Sequence, residues 1–221
     1  MEIIYPCAFF IISFVHLLCC FFEKNKMRCT TKLMLMPLLL LIYLDLTSSK
    51  GTDNSKRSKL IVNGLILGFS GDALLILKSQ KCFIFGLVSF LFGHFLYVME
   101  MLKRLGDISN IPLFVIIELL HFSIFCYYYY ASLHYGFKNE MAYYGFIYGV
   151  ALSFLNSFAV YSLFMNYCFQ NILLVIGTTN FCISDSILAY HTFVKKIKYG
   201  QFYLMGTYIA AQTFIALGMS L

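Results

Sequence analysis

The chain is a near-unbroken series of long apolar stretches, and that series decides what it can fold into. A helix needs about 20 mainly apolar residues to cross the hydrocarbon core of a bilayer. Eight stretches meet or approach that length: Ile3–Phe22, Leu33–Leu46, Leu60–Leu77, Cys82–Leu102, Ile111–Tyr130, Met141–Phe164, Gln170–Phe193 and Phe202–Met219. A backbone crossing lipid must satisfy its own hydrogen bonds, so runs like these predict helices. The expected fold class is all-α, a polytopic integral membrane bundle of about eight transmembrane helices in one domain over residues 1–221. A mean hydropathy of +0.80 with 12% charged residues excludes a soluble globular domain.

The second stretch is the shortest, about 14 apolar residues interrupted by Pro37. It is expected to be tilted, thinned or partly re-entrant; without it there are seven spans and the termini lie on opposite sides. The first stretch reads as a retained helix rather than a cleaved signal, because Glu2 stands where a positive charge belongs and no small-residue cleavage site follows. Loops are short, and the longest, Thr47–Lys59, is polar and basic, as a flexible connector would be. Tyr127–Tyr130 suits a membrane–water interface. Lys and Arg number about 10 in the first, third, fifth and seventh loops and about 6 in the others, which favours both termini facing away from the cytosol. No basic face interleaved with aromatics exists, so nucleic acid is not an expected partner. The eight cysteines form no CxxC pair and read as small packing residues, with Cys19 and Cys20 near a helix end as candidate palmitoylation sites.

An ionisable side chain at membrane depth is costly unless paired or watered, so each one marks a candidate site. Asp72 and Asp185 are the deepest acids, followed by Glu118, whereas Asp45 and Glu100 near helix ends are expected to be interfacial. Asp72 shares a helix face with Gly64 and Gly68, with Gly71 at its edge, and small residues at that spacing admit a neighbouring helix. The seventh stretch carries Thr178 and Asp185 in line, with Asn180, Ser184 and Ser186 nearby, more hydrogen-bonding capacity than a lipid-facing surface tolerates. In an eight-span bundle the third and seventh helices run in the same direction, which brings the two aspartates to similar depth. Desolvation and like charge both oppose the second ionisation of such a pair, leaving one acid protonated beside one carboxylate. His94 and Tyr97 on the fourth stretch, and Tyr208 and Gln212 on the last, add polar pairs on shared faces. His16, His94, His121 and His191 fall on separate stretches with no HxxxH or HExxH spacing, so no metal site is expected.

In order and spacing, "GFSGDALLIL", "FLFGHFLYVMEM", "CISDSILAYHTF" and "YIAAQTFIALG" resemble the signature of the lysoplasmalogenase, or YhhN-like, family of multi-span membrane proteins. "TKLMLMP", with Lys32 and Pro37, resembles the start of that family's second helix, and the similarity runs from about Lys32 to Gly218. The resemblance implies an eight-helix enzyme that hydrolyses the vinyl ether bond of lysoplasmalogens, giving a fatty aldehyde and glycerophosphocholine or glycerophosphoethanolamine. It maps the family's aspartates to Asp72 and Asp185 and its histidine to His94, needs no cofactor, and suggests the endoplasmic reticulum membrane in a eukaryotic source. Expected partners are a lysophospholipid substrate and the surrounding membrane lipids. A vinyl ether reacts once its β-carbon takes a proton, which calls for a protonated carboxylic acid and a nearby anion, as in glycosidases. His94, Tyr97, Tyr190, Tyr208 and Gln212 would then orient the water and ether oxygen, with Lys32 meeting the phosphate. Two other roles fit the same residues: a non-enzymatic lipid binder or transporter, and carboxylates that only tie helices together.

Overall fold

The computed structural model describes residues 3–48, 58–77, 79–106, 108–134 and 141–221, with the side chains of 128–129, 131–134 and 141–143 outside the description. Helix follows helix: α1 Ile4–Phe21, α2 Asn25–Ser48, α3 Lys59–Ile76, α4 Gln80–Leu105, α5 Ile111–His134, α6 Met141–Met165, α7 Phe169–Ala189 closed by a π-helical turn Tyr190–Val194, and α8 Gly200–Ser220. No strand occurs among the described residues. Among the described residues seven helices are long and apolar enough to cross a membrane, and the described apolar part of α5, Ile111–Tyr127, is shorter. The chain is an integral, multi-pass membrane protein. Most of the Thr47–Lys59 connector lies outside the described residues.

The second span departs from its expected form. α2 is one continuous helix of 24 residues, with Pro37 inside it. Its first two turns are polar, which is why hydropathy alone shortened it, and two of their cations, Arg28 and Lys32, line a cavity of the protein. The ring of Pro37 is accommodated as prolines in membrane helices are, where neighbouring helices support the freed backbone.

The helices pack as α1 on α2, α3 on α4 and α7 on α8, with α6 wedged between α4 and α7. α2 also meets α3 and α8, while α5 packs chiefly on α6 at the outside. The interior holds Tyr43, Tyr97, Phe158, Tyr161 and Phe181, all but excluded from solvent. Outward-facing Phe10, Ile11 and Phe14 of α1 and Ile116, Leu119 and Leu120 of α5 meet lipid. Tyr127 and Tyr130 are exposed at one end of α5, as an interfacial aromatic belt requires. Cys19 and Cys20 are buried, which removes them as palmitoylation sites because a transferred chain needs an accessible thiol.

The glycine stripe of α3 does what its spacing suggests. A Cβ on Gly64 would lie 2.5 Å from the Tyr97 ring of α4, and one on Gly71 would lie 2.6 Å from the Phe90 ring. At Gly68 the neighbours are Met36 of α2 and the Gln212 amide of α8. Three helices thus close on α3 where it lacks side chains. Glu100 corrects the expectation of an interfacial acid: it is buried, accepts a hydrogen bond from Ser58 at 2.5 Å and pairs with Arg104 at 3.1 Å. Arg104 also donates to the carbonyls of Gly218 and Met219, so one charged network ties the start of α3 to the ends of α4 and α8. Sequence position misled because the helix end is covered by α8.

Gly64→Ala is expected to lower stability in detergent by about 1–3 kcal/mol through overpacking against Tyr97. Gly206→Ala, whose Cβ would meet nothing nearer than 3.9 Å, is expected to be neutral or stabilising. Thermal denaturation of the two variants beside wild type checks the contrast.

Candidate functional site

A cavity of about 510 Å³ opens on the side of the bundle where α1, α3 and α7 end and α2, α4 and α8 begin. The π-helical turn after α7 brings Thr192 and Phe193 to its wall. Arg28, Asn25 and Gln80 stand among its polar lining residues, and Phe83, Leu87 and Phe90 among its apolar ones. Asp72 and Asp185 both line it.

Asp72 is 1% exposed, one turn from the end of α3. Its Oδ1 pairs with Lys32 Nζ at 3.0 Å, and its Oδ2 accepts the hydroxyl of Tyr208 at 2.6 Å. α2 and α8 therefore each deliver one partner to a carboxylate that α3 carries. Asp185 is different. Its Oδ2 accepts the Tyr148 hydroxyl of α6 at 2.5 Å, and no cation lies within ion-pair distance of it among the described residues. One carboxyl group thus sits beside a fixed positive charge and the other has only a phenol.

Of the residues expected at the site, Lys32, Asp72, Ser184, Asp185 and Tyr208 line the cavity. Ser184 is occupied in packing, its hydroxyl donating to the Leu204 carbonyl at 3.1 Å. Tyr97 and Gln212 form a buried pair behind the wall, the phenol donating to the amide oxygen at 3.3 Å. They support the site without facing it. His94 is 3% exposed and lies off the cavity, its ring edge-on to Phe181 at 4.5 Å and tilted against Tyr148 at 5.8 Å. Neither of its ring nitrogens has a hydrogen-bond partner among the described residues, so it backs Tyr148 and does not meet the cavity. Asn180 turns back to the Ile176 carbonyl at 2.8 Å, and Tyr190 is 37% exposed; neither reaches the cavity. Lys32 lines the cavity and pairs with Asp72.

Three contributors escaped sequence reasoning. Tyr148 is one aromatic in a span full of them, and no spacing on α6 sets it apart. Arg28 lies three residues into α2, in a segment that hydropathy assigns to a loop. His16 of α1, bonded to Thr31 at 2.7 Å and to the Cys20 thiol at 3.5 Å, forms part of the wall nearby. Thr31 spends its own proton on the Met27 carbonyl, so His16 donates from Nδ1 and its Nε2 accepts from Cys20. Among the described residues no three His, Cys, Asp or Glu side chains converge as a metal-ligating group.

Removing one partner of a buried ion pair leaves an uncompensated charge, whereas removing both does not. Lys32→Met alone is therefore expected to cost about 3–5 kcal/mol of stability, and Lys32→Met combined with Asp72→Asn distinctly less. Denaturation of the single and double variants in the same detergent measures the coupling.

Residues 27–219 match the YhhN family, and the chain belongs to that family, which contains lysoplasmalogenases. Neither the curated proteins nor the solved structures gave a match.

Proposed function

We propose that this YhhN-family member hydrolyses the vinyl ether bond of lysoplasmalogens, with Asp185 as the proton donor and Asp72 as the stabilising carboxylate. The observation that carries the reading is that both aspartates line one cavity while only Asp72 has a cation beside it. The Lys32 ammonium favours Asp72 as an anion, and Asp185, held only by a phenol, keeps its proton more readily. The pair then divides the work as the carboxyl groups of glycosidases do.

The proton of Asp185 passes to the β-carbon of the vinyl ether, and the α-carbon becomes an oxocarbenium ion facing the Asp72 carboxylate. Water adds to that carbon as Asp72 takes its proton, giving a hemiacetal. Asp185, now a carboxylate, removes the hemiacetal hydroxyl proton, and Asp72 returns its proton to the departing glycerol oxygen. Fatty aldehyde and glycerophospho-alcohol leave, and both carboxyl groups regain their starting states. Tyr148 and Tyr208 hold the carboxyl groups in place, each fixing one Oδ2. At the mouth, the planar fork of Arg28 suits a phosphate, and no carboxylate lies within ion-pair distance of it among the described residues. By the distribution of Lys and Arg between loops, this mouth faces the cytosol.

Purified protein given lysoplasmenylethanolamine is expected to release fatty aldehyde. Asp72→Asn and Asp185→Asn are each expected to lower turnover by about 100-fold or more per folded molecule, with Asp72→Asn the less stable of the two because it leaves Lys32 unpaired. Transport of the lipid without cleavage, or equal turnover in the folded Asn variants, contradicts the proposal. Arg28→Ala is expected to raise KM about tenfold with kcat little changed, because a charged contact made equally in ground and transition states is lost.

A further inference from the structure

α6 presents Tyr148, Gly149, Leu152, Ser153 and Asn156 on one face, at helical spacing. That face borders a second cavity of about 280 Å³, completed by α5 and α7. Asp185 and Tyr148 line it as they line the first, together with Phe83, Leu87, Leu188 and Phe193. The two cavities therefore adjoin along the wall that carries Asp185. They differ in character: the first has Arg28, Lys32 and Asn25 at its mouth, whereas the second has no Lys or Arg in its lining and is framed by Ile124, Phe125, Leu152 and Ala189. Ile124 is 62% exposed, so the second cavity reaches the lipid-facing surface beside α5.

The slot is narrow. Gly149 gives it room, since a Cβ there would lie 2.2 Å from the Phe125 ring. From Tyr148 to Asn156 it descends about 12 Å along α6, at about 1.5 Å per residue. Its volume holds about nine methylene groups, if each fills roughly the 30 Å³ of a water molecule. At the far end the Asn156 amide oxygen lies 2.9 Å from the Thr178 hydroxyl.

We propose that this slot holds the hydrocarbon chain of the substrate, which places the first carbons of the chain at Asp185 and the phosphate at the Arg28 mouth. The inference rests on the hydrolase reading for the identity of the lipid, and on the shared wall for the position of the chain. A molecule with one polar end and one chain has its reacting bond where the two meet. Asp185 stands where the polar and apolar cavities meet. Since the chain leaves one apolar medium for another, the slot adds little affinity and acts through length: chains that overrun it must displace packed side chains or pass out beside Ile124 into lipid.

Two experiments test this. In wild-type protein, a lysophospholipid with a diazirine at the chain terminus is photolysed and the labelled residues are mapped. Labels on α6 between Leu152 and Asn156, or on Cys182 of α7, are expected. Labels confined to outward-facing residues of α1 or α5, with none on the slot, overturn the proposal. Separately, Ser153→Phe fills the far end of the slot away from Asp185. In protein of unchanged melting temperature it is expected to reduce turnover of long-chain lysoplasmalogens about tenfold or more relative to short-chain ones. An unchanged chain-length profile together with no label in the slot refutes the chain assignment even if aldehyde is released. Labelling within the slot by a protein that releases no aldehyde keeps the chain site and discards the hydrolase reading.

Discussion

The ion pair between Lys32 and Asp72 is the constraint around which this bundle is arranged. A lone charge at membrane depth costs several kcal/mol, and the pair answers that cost only if both groups are brought together and their remaining valences filled. Tyr208 fills the second oxygen of Asp72, so α2, α3 and α8 must converge on one point. The convergence needs close approach, which the glycines of α3 permit by yielding space to Tyr97, Phe90 and Gln212. It also explains why α2 begins with a polar, cationic segment and is nonetheless a membrane-embedded helix: that segment faces a cavity.

The pair breaks the symmetry between two otherwise similar carboxyl groups. Asp72 has a cation and a phenol, and Asp185 has a phenol alone. Acid–base chemistry on a lipid needs such a difference, since two identical carboxyl groups give no preferred direction of proton flow. In the proposed reaction, the position of Asp185 between a polar cavity and an apolar one gives that chemistry an address along an amphipathic substrate.

Much of this was legible in the sequence because lipid imposes simple rules. Apolar runs placed every helix, with starts within two residues except at α2 and with the ends of α4 and α5 three and four residues short, and the spacing of Gly64, Gly68 and Asp72 marked an inward face. The partners of the acids were not legible. Nothing in one dimension says which of several carboxylates a cation such as Lys32 will meet, and Tyr148 was hidden among aromatics of the same composition. His94 and Asn180 shared motifs with the aspartates and yet point elsewhere, one into an aromatic cluster and one onto its own backbone. Glu100 read as interfacial from its distance to a helix end, but burial is set by what covers that end, here α8 with Arg104 and Ser58.

The proposed division of protonation between the two aspartates is open to direct observation without substrate. Infrared difference spectroscopy in detergent at neutral pH follows the carbonyl stretch of a protonated carboxyl group, which an ionised carboxylate lacks. Loss of such a band in Asp185→Asn, with no corresponding loss in Asp72→Asn, is the predicted result. A protonated-carboxyl band that disappears in Asp72→Asn and persists in Asp185→Asn would contradict the assignment of acid and base on which the account rests.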